Sequence, residues 1–453
     1  MRIFFQKPLH PSHLNDLHCF NEFSALTCYS IYIIITFWQI CEVFSVDRIV
    51  SMIKKAMPNQ KSARRIIIIV AFAALMMFML GGCASSDGFK SATADNTPVT
   101  RSGERHSFPP IETVEISEPV IIFETDLKVG FIFNGNIGDF GFTYAQNQGR
   151  LALEKELGIE TMWREMVPAT EESMDIMQAL IDAGCTVIFS CSFGFMGYTA
   201  EMAERNPDIY FFHCSGYMTS ENMSAYFGRM YQMRYLTGIV AGLRTETNQI
   251  GYVAAHPIPE VRRGINAFAL GVKSVNPDAV VNVIWTHSWL NTGLERDLAM
   301  QLIHAGSDVI AQHQDSLLPQ IAAQEEGIWG IGYNSPMGFF SPTAYLTAAI
   351  WNWGPYMVDQ VSQIIDGTWE SSNYWGGFET GIVMLEELTD NVAPGTHEAV
   401  EEAMRHIRSG FDVFTGPIYD NMGNLRLHPR ATMLDSEKLS IDWFVDNVRE
   451  VEA

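Results

Sequence analysis

The side chains best suited to binding or chemistry lie in the loop between residues 134 and 144. Two amides and a carboxylate can exchange hydrogen bonds there, and three aromatic rings offer flat apolar surfaces; these residues include Asn134, Asn136, Asp139, Phe140, Phe142 and Tyr144. A planar small molecule needs polar groups at its edge and apolar surface against its face. The loop therefore predicts a site for a planar, hydrogen-bonding ligand.

Common catalytic signatures are missing from the sequence. The tripeptide Asp-Phe-Gly at 139–141 matches a kinase motif, but the glycine-rich loop, strand lysine and His-Arg-Asp loop of kinases do not accompany it. No G-x-S-x-G, H-E-x-x-H or C-x-x-C motif occurs either. A nucleoside hydrolase using paired carboxylates, Asp139 and Asp315, is the enzymatic alternative. We expect a binding protein and not an enzyme.

Charge and histidine spacing argue against two other partners, nucleic acid and a metal ion. The chain has 29 basic against 52 acidic residues and a net charge of −23, whereas binding to a phosphate backbone needs clustered Lys and Arg. His287, His304 and His313 lack a spacing that would define a metal site. Neither a metal nor a cofactor is predicted, and nucleic acid is not an expected partner.

The elements around the loop predict an open α/β fold. The apolar run Val129–Phe133 is typical of a buried strand, and an amphipathic helical stretch follows the loop. Strand-like and helix-like segments then alternate, and a second, similar series begins at Gln249–Ala254. This alternation predicts two parallel sheets flanked by helices, in two lobes that face each other across a cleft. Ligands bind at the carboxyl ends of such strands.

The first 119 residues are expected to be separate from the fold. Residues 1–51 fit nothing downstream and are interpreted as a mis-called extension before a start at Met52 or Met57. A basic segment and an apolar run give residues 52–82 the pattern of a signal peptide, and Leu80-Gly81-Gly82-Cys83 resembles a bacterial lipobox. Lipidated Cys83 would anchor the protein on the extracytoplasmic face of the cell membrane through a flexible tether, residues 83–119. An uncleaved membrane anchor is the alternative.

Beyond Cys83 the chain has three cysteines, Cys185, Cys191 and Cys214. Such a sparse, odd set is not a disulfide framework. One pair could form a bridge, but we expect small buried apolar side chains.

Several segments resemble the basic membrane protein (BMP, or purine-nucleoside-receptor) family. They include GNIGDFGFTYAQNQG, YFGRMYQMRYLTGIVAGL, IGYVAAHPIPEVRRGINAFALGVKSVNPDA and LTAAIWNWGPYMVDQV, and the similarity spans roughly residues 128–427. The resemblance implies a lipoprotein that delivers substrate to the permease and ATPase of an ABC importer. It also implies a type I periplasmic-binding-protein fold with a hinged cleft. We assign lobe 1 to residues 120–248, with a return over about 372–453, and lobe 2 to residues 249–371.

The same resemblance implies a ligand held between two aromatic rings, one from each lobe. Phe142 falls on the first aromatic position, and Trp289, in His287-Ser288-Trp289, falls on the second. Phe142 packed in the core is the alternative. Further candidates stand at the ends of predicted strands or in the loop; they are Asn134, Asp139, Ser192, Phe193, His313, Asp315, Asn334 and Trp351.

Two departures from the family bear on the ligand. Nucleoside-binding members carry an Asp where this chain has Asn334 and a Lys where it has Trp351, and that pair suits ribose hydroxyls. Replacing both with an amide and an indole favours a free purine base, such as adenine, over a nucleoside. A purine nucleoside-binding receptor or sensor is the alternative.

Overall fold

The computed structural model describes residues 127–452. The proposed extension 1–51, signal peptide 52–82 and tether 83–119, with Cys83, lie outside the described residues. In the described part no helix is long and apolar enough to cross a membrane.

Strands and helices alternate along the described chain. The first part contains β1 (Lys128–Phe133), α1 (Phe142–Leu157), β2 (Glu160–Arg164), α2 (Glu172–Asp182), β3 (Val187–Cys191), α3 (Met196–Arg205), β4 (Tyr210–Cys214) and β5 (Met223–Gly228). The middle part contains α4 (Tyr231–Arg244), β6 (Gln249–Ala254), α5 (Pro259–Val275), β7 (Val280–Trp285), α6 (Thr292–His304), β8 (Val309–His313), α7 (Leu318–Glu325), β9 (Trp329–Asn334) and β10 (Tyr345–Trp351). The last part contains α8 (Gly354–Ile365), β11 (Asn373–Gly376), β12 (Val383–Leu385), α9 (Thr396–Arg408), β13 (Ile418–Tyr419), β14 (Leu425–Leu427), α10 (Asp435–Leu439) and β15 (Val448–Glu450).

Local sequence explains several of these elements. In β1 every residue after Lys128 is buried, as expected for a parallel strand covered by helices on both faces. Helix α1 ends at Gly158, whose φ of 65° is the left-handed conformation that glycine adopts without a Cβ penalty. Helix α5 starts with Pro259, which needs no hydrogen-bond acceptor for its nitrogen at a first helical position.

The long strands form two sheets, as predicted. The first sheet has the order β11-β5-β4-β3-β1-β2, and all of its pairs are parallel. The second has the order β12-β10-β9-β8-β6-β7-β15, and all pairs are parallel except β10 with β12. The fold is therefore α/β, with two mostly parallel sheets flanked by helices.

The chain crosses between the two lobes three times. It leaves the first sheet after β5 and enters α4, which packs on α5 and on β10 of the second sheet. It returns between β10 and α8, which packs against α1 of the first lobe. It crosses again between β11, a strand of the first sheet, and β12, a strand of the second. These crossings, at 229–230, 352–353 and 377–382, are the segments that a hinge motion would bend.

The lobe boundaries need two corrections. Helix α4, predicted in lobe 1, packs in the second lobe, because the face carrying Gly238 lies directly on the backbone of α5 at Phe268. The predicted return of 372–453 to lobe 1 is wrong after β11, since β12 and β15 pair with strands of the second sheet. Helix and strand patterns identify elements, but they do not say which of two sheets an element joins.

Candidate ligand-binding site

A cleft of about 1120 Å³ lies between the lobes. Residues from both sheets line it, together with the crossing segments and α10. The lining comprises Asn134, Phe142, Ala169, Ser192, Phe193, Gly194, Ser215, Gly216, Tyr217, Phe227, Arg229, His256, Ile258, Pro259, Glu260, Arg263, Trp289, His313, Asp315, Tyr333, Asn334, Asn373, Tyr374, Trp375, Asp435 and Leu439.

The cleft lies at the carboxyl ends of the strands, as the fold requires. Asn134, Ser192 and Ser215 directly follow β1, β3 and β4, and Asn334 is the last residue of β9. Around this edge five residues other than glycine adopt a positive φ: Phe140 (58°), Met166 (56°), Ser215 (65°), His287 (52°) and Asn334 (70°). Such conformations cost free energy and concentrate at functional sites.

The structure brings eight of the ten predicted contact residues to the surface of this cleft. From the first lobe they are Asn134, Phe142, Ser192 and Phe193, and from the second Trp289, His313, Asp315 and Asn334. Asp139 and Trp351 do not line it.

Asp139 holds the loop in shape. Its Oδ1 accepts hydrogen bonds from the backbone N–H of Gly141 (2.8 Å) and Tyr144 (2.9 Å). Burial raises the pKa of Asp139, and these bonds oppose that rise. The Asp139 side chain therefore accepts hydrogen bonds from its own loop and from the first turn of α1, and it stabilises the start of that helix.

Trp351 lies behind Phe142. Its ring stacks on Trp353 at 4.4 Å between centroids and meets the Phe142 ring edge-on at 6.3 Å. Phe227 covers it at 4.8 Å, and only 5% of the residue is exposed. Trp351 thus supports the predicted aromatic contact and does not occupy the ligand space.

The two predicted aromatic contacts are connected through a single residue, Asp315. The backbone N–H of Asp315 donates to the carbonyl of Trp289 (3.2 Å). Its carboxylate accepts from the backbone N–H of Phe142 (3.3 Å) in the other lobe and from Asn334 Nδ2 (2.8 Å). Burial, with repulsion from Asp139 and Glu295, raises the pKa of Asp315. This interlobe contact positions Phe142 and Trp289 at the same cleft.

His313 packs among aromatic rings next to Trp289. Its ring centroid is 4.5 Å from that of Tyr333 and 6.3 Å from that of Trp289. Burial, with the nearby charges of Arg234 and Arg263, lowers the pKa of His313 well below its usual range. His313 is therefore neutral at physiological pH and adds flat surface without charge.

Apart from Asp315, sequence reasoning missed the charged residues of the cleft, which are Arg229, Glu260, Arg263 and Asp435. Arg229 makes a two-point ion pair with Asp435, at 2.9 and 2.6 Å, and its guanidinium lies 4.2 Å above the Trp375 ring. Glu260 and Arg263 come from α5. Their spacing of three residues, directly after a strand, was a usable signal, because it places both on one helix face at the strand's carboxyl end.

Metal and disulfide chemistry find no support in the described part of the chain. No group of three or more His, Cys, Asp or Glu side chains there is arranged to hold a metal ion. Cys185, Cys191 and Cys214 are buried and unpaired.

Comparison with known proteins decides the family. The Bmp family, described as PnrA-like ABC transporter substrate-binding proteins, matches residues 126–409. The chain belongs to the Bmp family. It is 40% identical over 328 residues to a purine-binding protein of Brucella abortus, covering 72% of this chain and 93% of the relative. It is 36% identical over 365 residues to a putative ABC transporter glucose-binding protein of Haloferax volcanii, covering 80% and 93%.

Solved structures agree on the fold. An ABC transporter solute-binding protein from Aeropyrum pernix matches with a TM-score of 0.55 and 17% identity, over 63% of this chain and 92% of that one. An ABC transporter system solute-binding protein from Conexibacter woesei matches with a TM-score of 0.54 and 19% identity, over 63% of this chain and 97% of that one. Membership of the Bmp family, and not these structures, identifies the protein as an ABC transporter substrate-binding protein, a class that binds a small molecule and partners with a permease and ATPase.

Proposed function

We propose that this Bmp protein captures a purine between the rings of Phe142 and Trp289. The observation that carries the proposal is that both lobes contribute aromatic side chains to the same cleft, Phe142 from the first and Trp289 from the second. Stacking of a base on an aromatic side chain is worth ~1–3 kcal/mol. Two stacks would supply a large part of the ~8 kcal/mol that micromolar affinity requires.

Asparagine side chains suit the edge of such a ligand. Asn134 and Asn334 line the cleft from opposite lobes. The Nδ2 of Asn334 donates a hydrogen bond to Asp315, while its Oδ1 has no hydrogen-bond partner among the described residues. An amide can pair with the N6 donor and N7 acceptor of adenine. We assign this buried, unpaired acceptor to an exocyclic amino group of the ligand.

Within the purines we favour an adenine-like free base over a nucleoside. Asn334 replaces the carboxylate expected for ribose binding, and a neutral amide fits a base edge better. The second departure, Trp351, lends no support, because its ring is buried behind Phe142 and leaves the ligand space unchanged. The Brucella relative, named a purine-binding protein, supports the ligand class.

Calorimetric titration tests which compound the protein binds. The full chain, purified in mild detergent and refolded to remove carried-over ligand, is titrated with adenine, adenosine, guanine, guanosine and glucose. Tight binding of adenine with weak binding of adenosine supports the free-base proposal. Tight nucleoside binding overturns the preference for a base and favours the nucleoside receptor. Binding of glucose alone, as the name of the Haloferax relative suggests, overturns the proposal that the ligand is a purine.

We also propose that the protein binds its ligand without chemical change. No reaction needs to occur for capture and delivery, and closure of the lobes around the ligand is sufficient. Incubation with adenosine, inosine and guanosine, followed by chromatography, should return each compound intact. Release of free base or ribose at a rate proportional to protein concentration would contradict this.

The proposed location is the extracytoplasmic face of the cell membrane, with a lipid on Cys83. The support is the lipobox-like Leu80–Cys83 preceded by a basic and apolar leader. Metabolic labelling with a fatty acid should mark the wild-type protein and not Cys83→Ser. Cys214→Ser, a change at a buried cysteine, serves as the control and should keep the label. Label retained by Cys83→Ser would overturn the anchor.

A further inference from the structure

The carboxylate of Glu260 faces the cleft without a hydrogen-bond donor among the described residues. Glu260 is in the first turn of α5, and its side chain is 25% exposed. The nearest basic nitrogen, His313 Nε2, is 3.9 Å from Glu260 Oε1, beyond hydrogen-bond distance. A half-buried carboxylate without a donor favours a ligand that brings one.

Arg263 supplies the opposite chemistry beside it. The two residues are three apart on α5 and therefore lie on one face of the helix. Arg263 is 5% exposed, lines the same cleft, and donates from Nη1 to the carbonyl of Lys438 (3.0 Å). No carboxylate in the described residues forms an ion pair with its guanidinium at 4 Å or less. Helix α5 thus offers a hydrogen-bond acceptor next to a donor.

This acceptor–donor pair lies close to the proposed stacking position. His313, 3.9 Å from Glu260, has its ring 6.3 Å from the ring of Trp289. Glu260, Arg263, His313 and Trp289 all line the cleft that Phe142 enters from the first lobe. A base stacked on Trp289 would turn one edge toward α5.

We propose that Glu260 and Arg263 recognise the N9–H and N3 edge of an unsubstituted purine, an inference that rests on the proposed purine capture. N9–H donates to the Glu260 carboxylate, and Arg263 donates to N3. In a nucleoside the N9 atom carries the sugar and has no hydrogen to give, so the carboxylate would stay unpaired in the closed cleft. Glu260 is therefore a specificity-determining residue that selects free bases.

The test compares adenine with 9-methyladenine, which lacks only the N9–H donor. Calorimetry on the wild-type full chain should give adenine the higher affinity by about tenfold or more, the value of a hydrogen bond to a charged group. Glu260→Gln keeps the size of the side chain. It should weaken adenine binding by about tenfold or more. It should bind 9-methyladenine at least as tightly as the wild type, because the unpaired charge is gone, and this also shows that the variant is folded.

Glu326→Gln is the matched control, because it removes the same charge from an exposed position after α7 that does not line the cleft. It should leave both affinities unchanged. Equal affinity of the wild type for adenine and 9-methyladenine would overturn the role of Glu260. So would a preference for adenine that Glu260→Gln retains, because such a preference would be only steric. Either result would leave purine capture intact. Failure of both compounds to bind the wild type would overturn the proposed function itself.

Discussion

At the scale of single residues, the aromatic contacts carry the largest expected share of the binding free energy. Trp289 is half-buried in a loop and meets His256 edge-on at 5.1 Å, so its ring is held by neighbours before any ligand arrives. Phe142 is held in the same way by Trp351 and Trp353. Rings that are already positioned lose little entropy on binding.

Trp289→Ala should therefore weaken purine binding by about 1–3 kcal/mol, or about 5- to 150-fold, because one of two stacks is lost. Trp289→Phe keeps a ring and should lose less. The control is Trp163→Ala, on β2, whose ring lies under the guanidinium of Arg150 at 4.1 Å and does not line the cleft. Calorimetry measures all three; an unchanged dissociation constant for Trp289→Ala would remove Trp289 from the site.

Another residue-scale prediction concerns stability and pH at His213. This buried side chain, at the end of β4, bonds through Nε2 to the carbonyl of Ser192 (2.9 Å), and its Nδ1 has no partner among the described residues. Burial lowers the pKa of His213 to about 4. The unfolded chain binds a proton below about pH 6.5, but the folded chain does so only near pH 4. Stability should therefore fall from pH 6.5 to pH 4, by at most about 3 kcal/mol from this residue.

Urea unfolding of the wild type and His213→Gln across that range measures the effect. Glutamine can still donate to the Ser192 carbonyl but does not titrate, so the variant should lose less stability on acidification. His313, also buried, remains in both proteins and cancels in the difference. Parallel pH dependences for the two proteins would contradict a neutral, buried His213.

At the scale of elements, close packing of α4 on α5 holds the second lobe together. A Cβ added at Gly238 would lie 2.0 Å from the carbonyl oxygen of Phe268, and one at Gly271 would lie 2.0 Å from that of Tyr235. Only glycine permits this backbone approach. The same contact explains why α4, next to lobe 1 in the sequence, covers the second sheet.

Gly238→Ala should destabilise the protein by about 1–3 kcal/mol or more, because backbone on both helices must shift. Gly197→Ala, near the start of α3, is the matched control, since a Cβ there meets nothing within 4 Å. Alanine in an open helical position should be neutral or stabilising by up to about 1 kcal/mol. Urea unfolding should therefore move the two variants in opposite directions; a common shift would contradict the packing argument.

At the scale of the whole molecule, the three crossings and the Asp315 contact define how the lobes can move. Asp315 and Ser335 of the second lobe bond to the backbone of Phe142 and Phe140 in the first. A ligand that touches both lobes favours the conformation in which both contacts are made. The ligand therefore shifts the population toward closure by its differential affinity.

Small-angle X-ray scattering should show a smaller radius of gyration for the wild type at saturating adenine than without ligand, because both aromatic faces are used only when the lobes close. Trp289→Ala at the same adenine concentration should show a smaller change. An unchanged radius for wild-type protein with calorimetrically verified ligand would mean that the lobes do not move on binding.

The sequence by itself determined the fold class and much of the cleft. Apolar runs alternating with amphipathic stretches dictate parallel strands covered by helices, and polar residues at strand ends must meet at one edge of a sheet. For this reason Asn134, Ser192 and Asn334 could be placed at the cleft before any coordinates. Each depends only on a short local pattern and a general property of parallel sheets.

Tertiary structure alone decided the assignments that depend on neighbours distant in the chain. Asp139 and Trp351 lie in segments that the sequence assigns to the binding site. In the structure Asp139 accepts hydrogen bonds from the backbone of its own loop and α1, and Trp351 is buried behind Phe142. The choice of sheet for α4, β12 and β15, and the entry of Glu260 and Arg263 into the cleft, are of the same kind. Periodicity fixes which face of an element is buried, but which surface buries it follows only from packing across the whole molecule.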